Sequence, residues 1–273
     1  MTAALEVNGL SLRFGAVQAL DDVTFSVAPG ELFALIGPNG AGKTSLFNLL
    51  SRTYAPSGGT IQYFGQDLLG LRAHQLARAG MARTFQNLGL FMPLTALDNV
   101  LVGRNHAMRA GVVAGGLRLR GARREERQAR EAALEALAFV GAAGVADAVV
   151  GTLPYGMLKR VEIARALAMG PRVLLLDEPV AGMSRAERGE IAALVASLRG
   201  PAGPAGPDGL AGPAAGAMTV LLVEHDMGVV MDLADRVLVL DFGRVIALGT
   251  PAEVQADPNV IRAYLGEPLD LPT

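Results

Sequence analysis

The chain has 273 residues, no cysteine and a formal net charge of −2 at pH 7. This length can bury a full hydrophobic core, either as one large domain or as one domain with a subdomain. The absence of cysteine excludes disulfides, thiolate zinc sites and cysteine nucleophiles. The small net charge gives no strong electrostatic reason to expect DNA, RNA or an anionic bilayer as the main partner.

The sequence shows no secretion signal and no membrane-spanning segment. A signal peptide requires a basic stretch that leads into an apolar core. Residues 1–9 do not have this pattern. A spanning helix needs roughly 18 or more apolar residues, and no charge-free stretch of helical character reaches that length. We therefore expect a soluble protein that does any work at a membrane through partners.

The first third of the chain has the pattern of β-strands. Residues 5–7 and 10–13 flank Asn8-Gly9, a dipeptide that predicts a hairpin turn. Residues 32–36 predict a fully apolar strand, and after Gly42 the apolar positions follow a helical period.

The middle of the chain, residues 71–167, is Ala-rich and mainly helical in pattern. Its clearest helix covers about residues 123–140 and opens with a charged run. Glu among the Arg residues of that run indicates a solvated helix face rather than a nucleic-acid contact.

The last third alternates strand and helix, as an α/β sheet does. Residues 173–176 and 219–223 are short apolar runs, which are typical of buried strands. Between them, Ser184 and Glu187 predict a capping box that opens a helix running to Arg199.

The C-terminal part predicts a hairpin, two short helices and, before them, an insertion. Two apolar runs within residues 237–248 flank an Asp-Phe-Gly turn. The helices begin at Thr250 and Asp257, each an N-cap residue followed by proline. Residues 200–217 are rich in Gly, Pro and Ala without a sustained triplet period, so we expect a flexible surface insertion rather than collagen.

Residues 37–44 carry the chemistry of a phosphate-binding loop. Their sequence, Gly-Pro-Asn-Gly-Ala-Gly-Lys-Thr, fits G-x-x-x-x-G-K-[ST] and lies between a predicted strand and a predicted helix. Glycines let backbone N–H groups face phosphate oxygens, Lys43 reaches the β- and γ-phosphates, and the Thr44 hydroxyl ligates Mg²⁺. Chance is a poor explanation, because the only other lysine is Lys159. The predicted nucleotide contacts in this loop are Gly37, Pro38, Asn39, Gly40, Ala41, Gly42, Lys43, Thr44 and Ser45.

A second motif, Asp177-Glu178, ends the buried strand at residues 173–176, at the sheet edge where α/β folds bind ligands. Asp177 would hold Mg²⁺, largely through its water shell. Glu178 would orient and deprotonate the attacking water. Alone, such a run is more often a plain strand end, but after a phosphate loop it indicates nucleotide hydrolysis. The chain lacks the Asn-Lys-x-Asp motif of guanine-specific proteins, which favours ATP.

The order of these and later motifs resembles the ABC ATPase family, over residues 5–266. After the phosphate loop come T-F-Q at residues 84–86, L-P-Y-G at residues 153–156, L-D-E-P at residues 176–179 and E-H-D at residues 224–226. Within the family, residues 36–43, 82–87, 181–183 and 260–267 look like the ATPases of branched-chain amino-acid importers. Urea and amide importers use similar sequences at these places.

The resemblance implies the fold class and the domain organisation. The fold class would be α/β, a P-loop ABC ATPase fold with a RecA-like core, an antiparallel β subdomain and a helical subdomain. A single ABC ATPase domain would cover residues 1–267. Its parts would be residues 1–86 and 168–250 for the α/β core with the β subdomain, 87–167 for the helical subdomain, 200–217 for the flexible insertion and 250–267 for the C-terminal helices.

The resemblance also implies roles for residues outside the phosphate loop. Phe14 would stack on adenine, with a core-facing position in its strand as the alternative. Gln86 would contact Mg²⁺ or the attacking water and sense the permease. His225 would touch the γ-phosphate and hold the catalytic geometry, whereas we interpret His74 and His106 as structural.

The L-P-Y-G segment departs from the family's Leu-Ser-Gly-Gly-Gln, whose serine hydroxyl and glycine N–H groups cap the γ-phosphate bound by the opposite subunit. Pro154 offers neither a hydroxyl nor an N–H group. The remaining donors are the N–H groups of Tyr155 and Gly156 and the N-terminus of a helix that starts near Leu158. Ser184 likewise stands where many ABC proteins have an aspartate that crosses the dimer interface.

The partners also follow from the resemblance. This chain and a second ATPase subunit, the same or different, would face each other head to tail with ATP and Mg²⁺ between them. They would dock on two transmembrane permease subunits and serve, indirectly, a periplasmic or extracellular substrate-binding protein. The chain would then be cytoplasmic and peripheral on the inner face of the membrane. The permease groove, or equally the helical subdomain's own core, would be formed by Leu88, Leu90, Phe91, Met92 and Leu94.

Alternative functions use the same motifs. One is the ATPase of a urea or amide importer or of an exporter, and one from another class is a soluble ABC ATPase of DNA repair or translation. Repair proteins carry long coiled-coil insertions and translation factors usually carry two cassettes, and this chain has neither. It also lacks a basic face, so transport is favoured and no nucleic-acid partner is expected.

Overall fold

The structure of the protein, a computed structural model, describes residues 2–84, 88–104, 120–199 and 218–265. In these ranges the strands are β1 (Leu5–Phe14), β2 (Val17–Val27), β3 (Leu32–Ile36), β4 (Gly58–Tyr63), β5 (Gln66–Asp67), β6 (Met81–Arg83), β7 (Val173–Asp177), β8 (Thr219–Val223), β9 (Arg236–Asp241) and β10 (Arg244–Gly249). The helices are α1 (Lys43–Leu50), α2 (Ala73–Arg78), α3 (Ala96–Arg104), α4 (Arg120–Phe139), α5 (Tyr155–Leu167), α6 (Arg185–Ser197), α7 (Met227–Leu233), α8 (Pro251–Ala256) and α9 (Pro258–Leu265). Gln86 and the predicted insertion at residues 200–217 lie outside the described residues.

By its contacts the chain divides into two compact units, each assembled from separate stretches of sequence. The first unit comprises Met1–Gln75, Leu175–Glu178 and Thr219–Thr273, and the second comprises Leu76–Leu174 and Pro179–Met218. The subdomain boundaries that the family resemblance implies at residues 86 and 168 stay a prediction.

The first unit contains a four-stranded antiparallel sheet in the order β2-β1-β4-β5. The hairpin predicted at Asn8-Gly9 is wrong, because β1 continues through both residues. A register irregularity between Val7 and Leu10 marks a bulge at this place, and Gly9 has the positive φ of 61° that a bulge favours. The turn into β2 comes later, at Gly15, whose φ is 59°. Asn-Gly suits a bulge as well as a turn, since both need a left-handed residue.

The first unit also contains the strands that carry the site, in the order β10-β9-β3-β8, followed by the end of β7. β3 pairs in parallel with β8 on one side and with β9 on the other. Every residue of β3, β7 and β8 is buried, which explains their continuous apolar sequences. β9 and β10 form the predicted antiparallel hairpin. The parallel pairing brings the carboxyl ends of β3 and β8 to the same sheet edge.

The two C-terminal helices pack beneath β3. A core cluster joins Val254 of α8 and Val260 of α9 to Ala34 and Ile36 of β3. The predicted start of α8 is confirmed, since Thr250 caps that helix in a capping box and a proline occupies its first turn. These contacts hold α8 and α9 against β3, the strand that precedes the phosphate loop.

The second unit is built mainly from helices, and α3, α4 and α5 pack on one another. α4 spans Arg120–Phe139 and so confirms the helix predicted near residues 123–140. Its buried side is lined by Ala133, Ala136 and Leu137, small and apolar residues that allow close helix packing. Across the described part of the chain, no helix is both long enough and apolar enough to cross a membrane.

Two helix starts in the second unit bear on the sequence predictions. α6 opens at Ser184 with the predicted capping box. α5 was predicted to start near Leu158, but it begins one turn earlier, at Tyr155. The reason is Pro154, whose φ of −65° and ψ of 155° suit an N-cap. Its carbonyl oxygen accepts the N–H groups of Met157 and Leu158 at 2.9 and 3.1 Å.

Candidate functional site

The phosphate loop connects the end of β3 to the start of α1, as predicted. Gly42 is the N-cap of α1, with φ 104° and ψ 2°. A β-carbon at Gly42 would lie 2.8 Å from the carbonyl oxygen of Ala19, so this turn requires glycine. The loop therefore has the strand–loop–helix form in which backbone N–H groups meet phosphate.

Two further glycines of the loop differ in how much space they have. Gly37 has φ 148°, and a β-carbon there would lie 2.1 Å from the carbonyl oxygen of Leu240 in β9. Gly40 has φ 82°, and among the described atoms nothing lies within 4 Å of the β-carbon it would carry. The start of the loop is thus packed against β9, whereas its middle is open.

We expect Gly37→Ala to weaken ATP binding much more than Gly40→Ala. Overpacking of this kind costs about 1–3 kcal/mol, so a Gly37→Ala loop that must shift away from Leu240 should raise the Kd for ATP roughly tenfold or more. In Gly40→Ala the new β-carbon has free space, so the substitution costs only the strain of a positive φ, about 1 kcal/mol. Titration calorimetry on both full-length variants measures the difference, and equal losses would contradict this account of the loop.

The Lys43 side chain folds back over the loop. Its Nζ atom donates hydrogen bonds to the carbonyl oxygens of Gly37 at 2.6 Å and Pro38 at 2.9 Å. Burial lowers the pKa of Lys43, and the negative charge of Glu178 opposes this by raising it. The exposed Thr44 and the half-buried Ser45 follow in the first turn of α1. The loop thus offers an ammonium group and two hydroxyl groups to a ligand.

The remaining predicted loop residues complete its surface. Asn39 is exposed, Pro38 is half-buried and Ala41 is buried. The Ala41 carbonyl oxygen accepts the N–H group of Gly243 at 3.0 Å. The turn between β9 and β10 therefore supports the loop from behind.

Asp177 and Glu178 lie where β7 ends. The Asp177 carboxylate is buried, and Glu178 has φ 47°, which turns the chain sharply out of the strand. The N–H group of Glu178 donates to the carbonyl oxygen of Val223 at 2.9 Å, so the end of β7 lies beside the end of β8. A non-glycine residue held at positive φ is a strained feature that often accompanies function.

His225, two residues after the end of β8, lies near the same carboxylate. Its Nδ1 atom lies 3.9 Å from Oε2 of Glu178 and 3.8 Å from Oε2 of Glu224. The Glu224 side chain is fully buried, and its carboxylate accepts the N–H groups of His225 at 3.1 Å and Asp226 at 3.5 Å. The structure therefore brings Glu178 and His225 together, and the catalytic roles of these two residues and of Lys43 stay predictions.

Glu224 is the residue of this group that the sequence reasoning missed. It belongs to the E-H-D motif, yet only His225 received a role. A signal was available, since a carboxylate at the end of a fully buried strand needs hydrogen-bond donors. The N–H groups of His225 and Asp226 are these donors. By accepting them, the Glu224 carboxylate holds the turn that positions His225.

Of the two predicted ligand contacts Phe14 and Gln86, the structure describes only Phe14. Phe14 is 47% exposed, which excludes the core-facing alternative, and its ring meets that of Tyr54 edge to face at a centroid distance of 5.3 Å. An exposed aromatic ring of this kind can stack on a planar base. Gln86 lies outside the described residues, so its contact with Mg²⁺ or water stays a prediction.

Tyr155 and Gly156 begin α5 in the second unit. They are the first two residues of the helix, so their N–H groups have no partner within it. A β-carbon on Gly156 would lie 3.0 Å from Oε1 of Glu187. Hydrogen bonds from Ser184 lower the pKa of Glu187, so this carboxylate is charged and engaged by Ser184 beside the helix start.

Five apolar residues are predicted to form either a permease groove or the core of the helical subdomain. They differ in their exposure to solvent. Leu88 is buried and Leu90 is half-buried. Phe91, Met92 and Leu94 are exposed. The core interpretation therefore fits the buried Leu88, whereas the permease groove stays a prediction for the three exposed side chains, which are the candidate docking surface.

The residues predicted to hold Mg²⁺ have the right chemistry for it. Thr44 offers a hydroxyl oxygen and Asp177 a carboxylate oxygen, and Mg²⁺ prefers oxygen ligands. Within the described residues, no group of three or more His, Asp or Glu side chains forms a metal site by itself. Mg²⁺ is usually held by one or two protein oxygens together with water and substrate phosphates.

Two family models match the chain. The model described as ABC transporter matches residues 20–181. A model described as branched-chain amino acid ATP-binding cassette transporter matches residues 244–270. The first match contains the phosphate loop and Asp177-Glu178, and the second contains α8 and α9.

Characterised proteins and a solved structure are similar over nearly the whole chain. The high-affinity branched-chain amino acid transport ATP-binding protein BraF of Pseudomonas aeruginosa is 41% identical over 96% of this chain and 98% of its own length. LivG of Escherichia coli K12, described in the same words, has the same identity and coverage. A structure of an ATP-binding cassette of an ABC transporter in its ADP conformation is 27% identical, with a TM-score of 0.78, over 98% of this chain and 100% of that one.

Proposed function

This chain belongs to the ABC transporter family, and we propose that it is the subunit that binds and hydrolyses ATP to power an importer of branched-chain amino acids. The observation that carries the proposal is the glycine loop that holds Lys43 after β3, together with Glu178 and His225, which lie 3.9 Å apart where the neighbouring strands β7 and β8 end. The branched-chain assignment is supported by the identity with BraF and LivG and by the match of the C-terminal segment. That C-terminal match favours branched-chain amino acids over urea or amides.

Each residue of the site has a role that its surroundings support. The loop N–H groups and Lys43 bind the β- and γ-phosphates, and Phe14 stacks on adenine. Glu178 orients the attacking water and accepts its proton, as a carboxylate within reach of the γ-phosphate can. His225 donates to the γ-phosphate from Nε2 while its Nδ1 side faces Glu178 and Glu224. Mg²⁺, when bound through Thr44, Gln86 and the water shell of Asp177, would neutralise charge that develops on the phosphates.

The proposed assembly pairs this chain with a second ATPase subunit, head to tail. The N–H groups of Tyr155 and Gly156 would then meet the γ-phosphate held by the partner, since a helix start attracts anions. Phe91, Met92 and Leu94 would dock on a permease subunit, because exposed apolar side chains close together along the chain favour a protein contact. In this proposal the chain works at the cytoplasmic face of the membrane, and a substrate-binding protein delivers the amino acid from the other side.

The proposal is tested by purifying the chain from its host membrane through an affinity tag and reconstituting the recovered complex in proteoliposomes. We expect two permease subunits to co-purify. We expect leucine, isoleucine or valine, delivered by the cognate binding protein, to stimulate ATP hydrolysis, and urea to have no effect. Recovery without any membrane protein, or stimulation by urea alone, would contradict the proposal.

A further inference from the structure

The turn between β9 and β10 packs against the phosphate loop and against β2 at one point of the first unit. A β-carbon on Gly243 would lie 2.7 Å from the carbonyl oxygen of Ala19, and a β-carbon on Gly42 would lie 2.8 Å from the same oxygen. Both positions therefore require glycine. Three backbone segments meet at the Ala19 carbonyl: β2, the phosphate loop and the hairpin turn.

Hydrogen bonds join the same three segments. The N–H group of Gly243 donates to the carbonyl oxygen of Ala41 in the phosphate loop at 3.0 Å, and the N–H group of Asp21 in β2 donates to the carbonyl oxygen of Gly243 at 2.9 Å. The Arg244 side chain, next in the hairpin, donates from Nε and Nη2 to Oδ2 of Asp21 at 2.9 and 2.7 Å. β2 therefore holds the hairpin turn, and the turn holds Ala41.

The hydrogen bond to Ala41 fixes the direction of an N–H group in the phosphate loop. The Ala41 carbonyl and the Gly42 N–H belong to one planar trans peptide unit, in which the two groups point in opposite directions. Because the carbonyl points to Gly243, the Gly42 N–H points away from the hairpin turn. Gly42 is the N-cap of α1, and N–H groups at the start of a helix are the ones that bind phosphate.

We propose that Gly243 is a positioning residue for phosphate binding: its N–H group fixes the peptide between Ala41 and Gly42, and so holds the Gly42 N–H in the direction that receives a phosphate oxygen. A loop that is in place before the ligand arrives binds it more tightly, because less ordering remains to be done. The inference rests on the proposed ATP binding and adds to it a residue from outside the loop. It also gives a role to the Asp-Phe-Gly sequence, for which the sequence analysis predicts only a turn.

A second Phe-Gly turn in the first unit offers a matched control. Phe64-Gly65 joins β4 to β5 with φ values of 46° and 77°, and Phe242-Gly243 joins β9 to β10 with φ values of 42° and 81°. Both are two-residue hairpin turns with positive φ at each position. Among the described atoms, only a methyl carbon of Thr2, at 3.3 Å, lies within 4 Å of the β-carbon that Gly65 would carry. The two turns thus share their backbone strain, but only one packs on the phosphate loop.

The test compares Gly243→Ala with Gly65→Ala in the full-length protein. Gly243→Ala must move the turn away from the Ala19 carbonyl, which withdraws the residue-243 N–H from Ala41. We expect this overpacking to raise the Kd for MgADP and the KM for MgATP roughly tenfold. The kcat should stay near that of the wild type, because Glu178 is untouched. Gly65→Ala should leave Kd, KM and kcat unchanged. Titration calorimetry below the melting temperature of each variant measures the Kd of folded protein.

Asp21→Asn is a second variant, which leaves every backbone group in place and serves if Gly243→Ala does not fold. It weakens the ion pair with Arg244 that holds the turn to β2. The two side chains are 56% and 35% exposed, so we expect the Kd for MgADP to rise about two- to threefold, and less at high salt, which screens exposed pairs. Glu190→Gln makes the corresponding change in the surface pair of Arg160 and Glu190 and should leave the Kd unchanged.

The outcomes separate this inference from the proposed function. If the wild type binds MgADP and folded Gly243→Ala binds it as tightly, the inference is wrong and the proposed function stands. Equal losses of affinity in the two glycine variants would also overturn it, since turn strain alone would then explain them. If Gly243→Ala does not fold, an unchanged Kd in Asp21→Asn refutes the inference. Failure of the folded wild type to bind MgADP or MgATP would overturn both. A raised Kd in Gly243→Ala or Asp21→Asn, with both controls unchanged, supports the positioning role.

Discussion

Glu178→Gln is expected to stop ATP hydrolysis while ATP binding stays intact. The amide has nearly the shape of the carboxylate but cannot accept the proton of the attacking water, and loss of a general base lowers the rate about 10²- to 10⁴-fold. The backbone of the variant should stay in place, because the residue-178 N–H group still donates to Val223. Binding should not weaken, since the substitution removes a negative charge near Lys43. Single-turnover phosphate release and a Kd for MgATP measure the two effects separately.

A matched control for this substitution is Glu135→Gln, which makes the same change on the exposed surface of α4. It should hydrolyse ATP at the wild-type rate. Turnover that survives in Glu178→Gln would show that another group activates the water and would refute the role proposed for Glu178.

Glu162→Gln is expected to destabilise the protein by about 3–5 kcal/mol, because it breaks a buried ion pair from one side. Lys159 and Glu162 lie one turn apart on α5, with 3.3 Å between Nζ and Oε2, and their side chains are 2% and 1% exposed. Burial lowers the pKa of Arg165, and the charge of Glu162 raises it, so this carboxylate faces two cations. Without it, the Lys159 ammonium group would be buried next to a neutral amide. Urea unfolding at pH 7 measures the loss in the free energy of unfolding.

The chain offers a matched surface pair for comparison. Arg160 and Glu190 form an ion pair at 2.6 Å, but the Glu190 side chain is 65% exposed, so Glu190→Gln should cost less than about 1 kcal/mol. Replacing both buried charges, as Lys159→Met with Glu162→Gln, should recover most of the stability lost in Glu162→Gln alone. Equal losses at Glu162 and Glu190 would mean that burial does not govern these pairs.

Local sequence patterns predicted the parts of the site in which neighbours along the chain cooperate. The phosphate loop, the capping box at Ser184 and the hairpin of β9 and β10 each depend on residues a few positions apart. Asp177-Glu178 could be located because a fully buried strand has a visible apolar run before it. In each case the physical cause, a turn, a cap or a buried strand end, acts within a short segment that the sequence displays.

Patterns that permit two local structures were predicted less well. Asn8-Gly9 can adopt the backbone of either a turn or a bulge, and the pairing of β1 with β2 and β4 selects the bulge. Pro154 was recognised as a lost donor, but its second property, a backbone suited to an N-cap, placed the helix start at Tyr155. Phe14 could face the core or the solvent until the sheet showed it exposed.

The sequence by itself determined the glycine loop around Lys43 between a strand and a helix, and the carboxylate pair Asp177-Glu178 where a buried strand ends, because glycine geometry and strand ends are encoded locally. Only the tertiary structure decided which distant residues hold these groups in place. Glu224, the residue after buried β8, supports His225, and Val260 of α9 packs with Ile36 of β3. Such contacts depend on how β3, β8 and α9 pack in space, and packing joins residues that no spacing rule along the sequence connects.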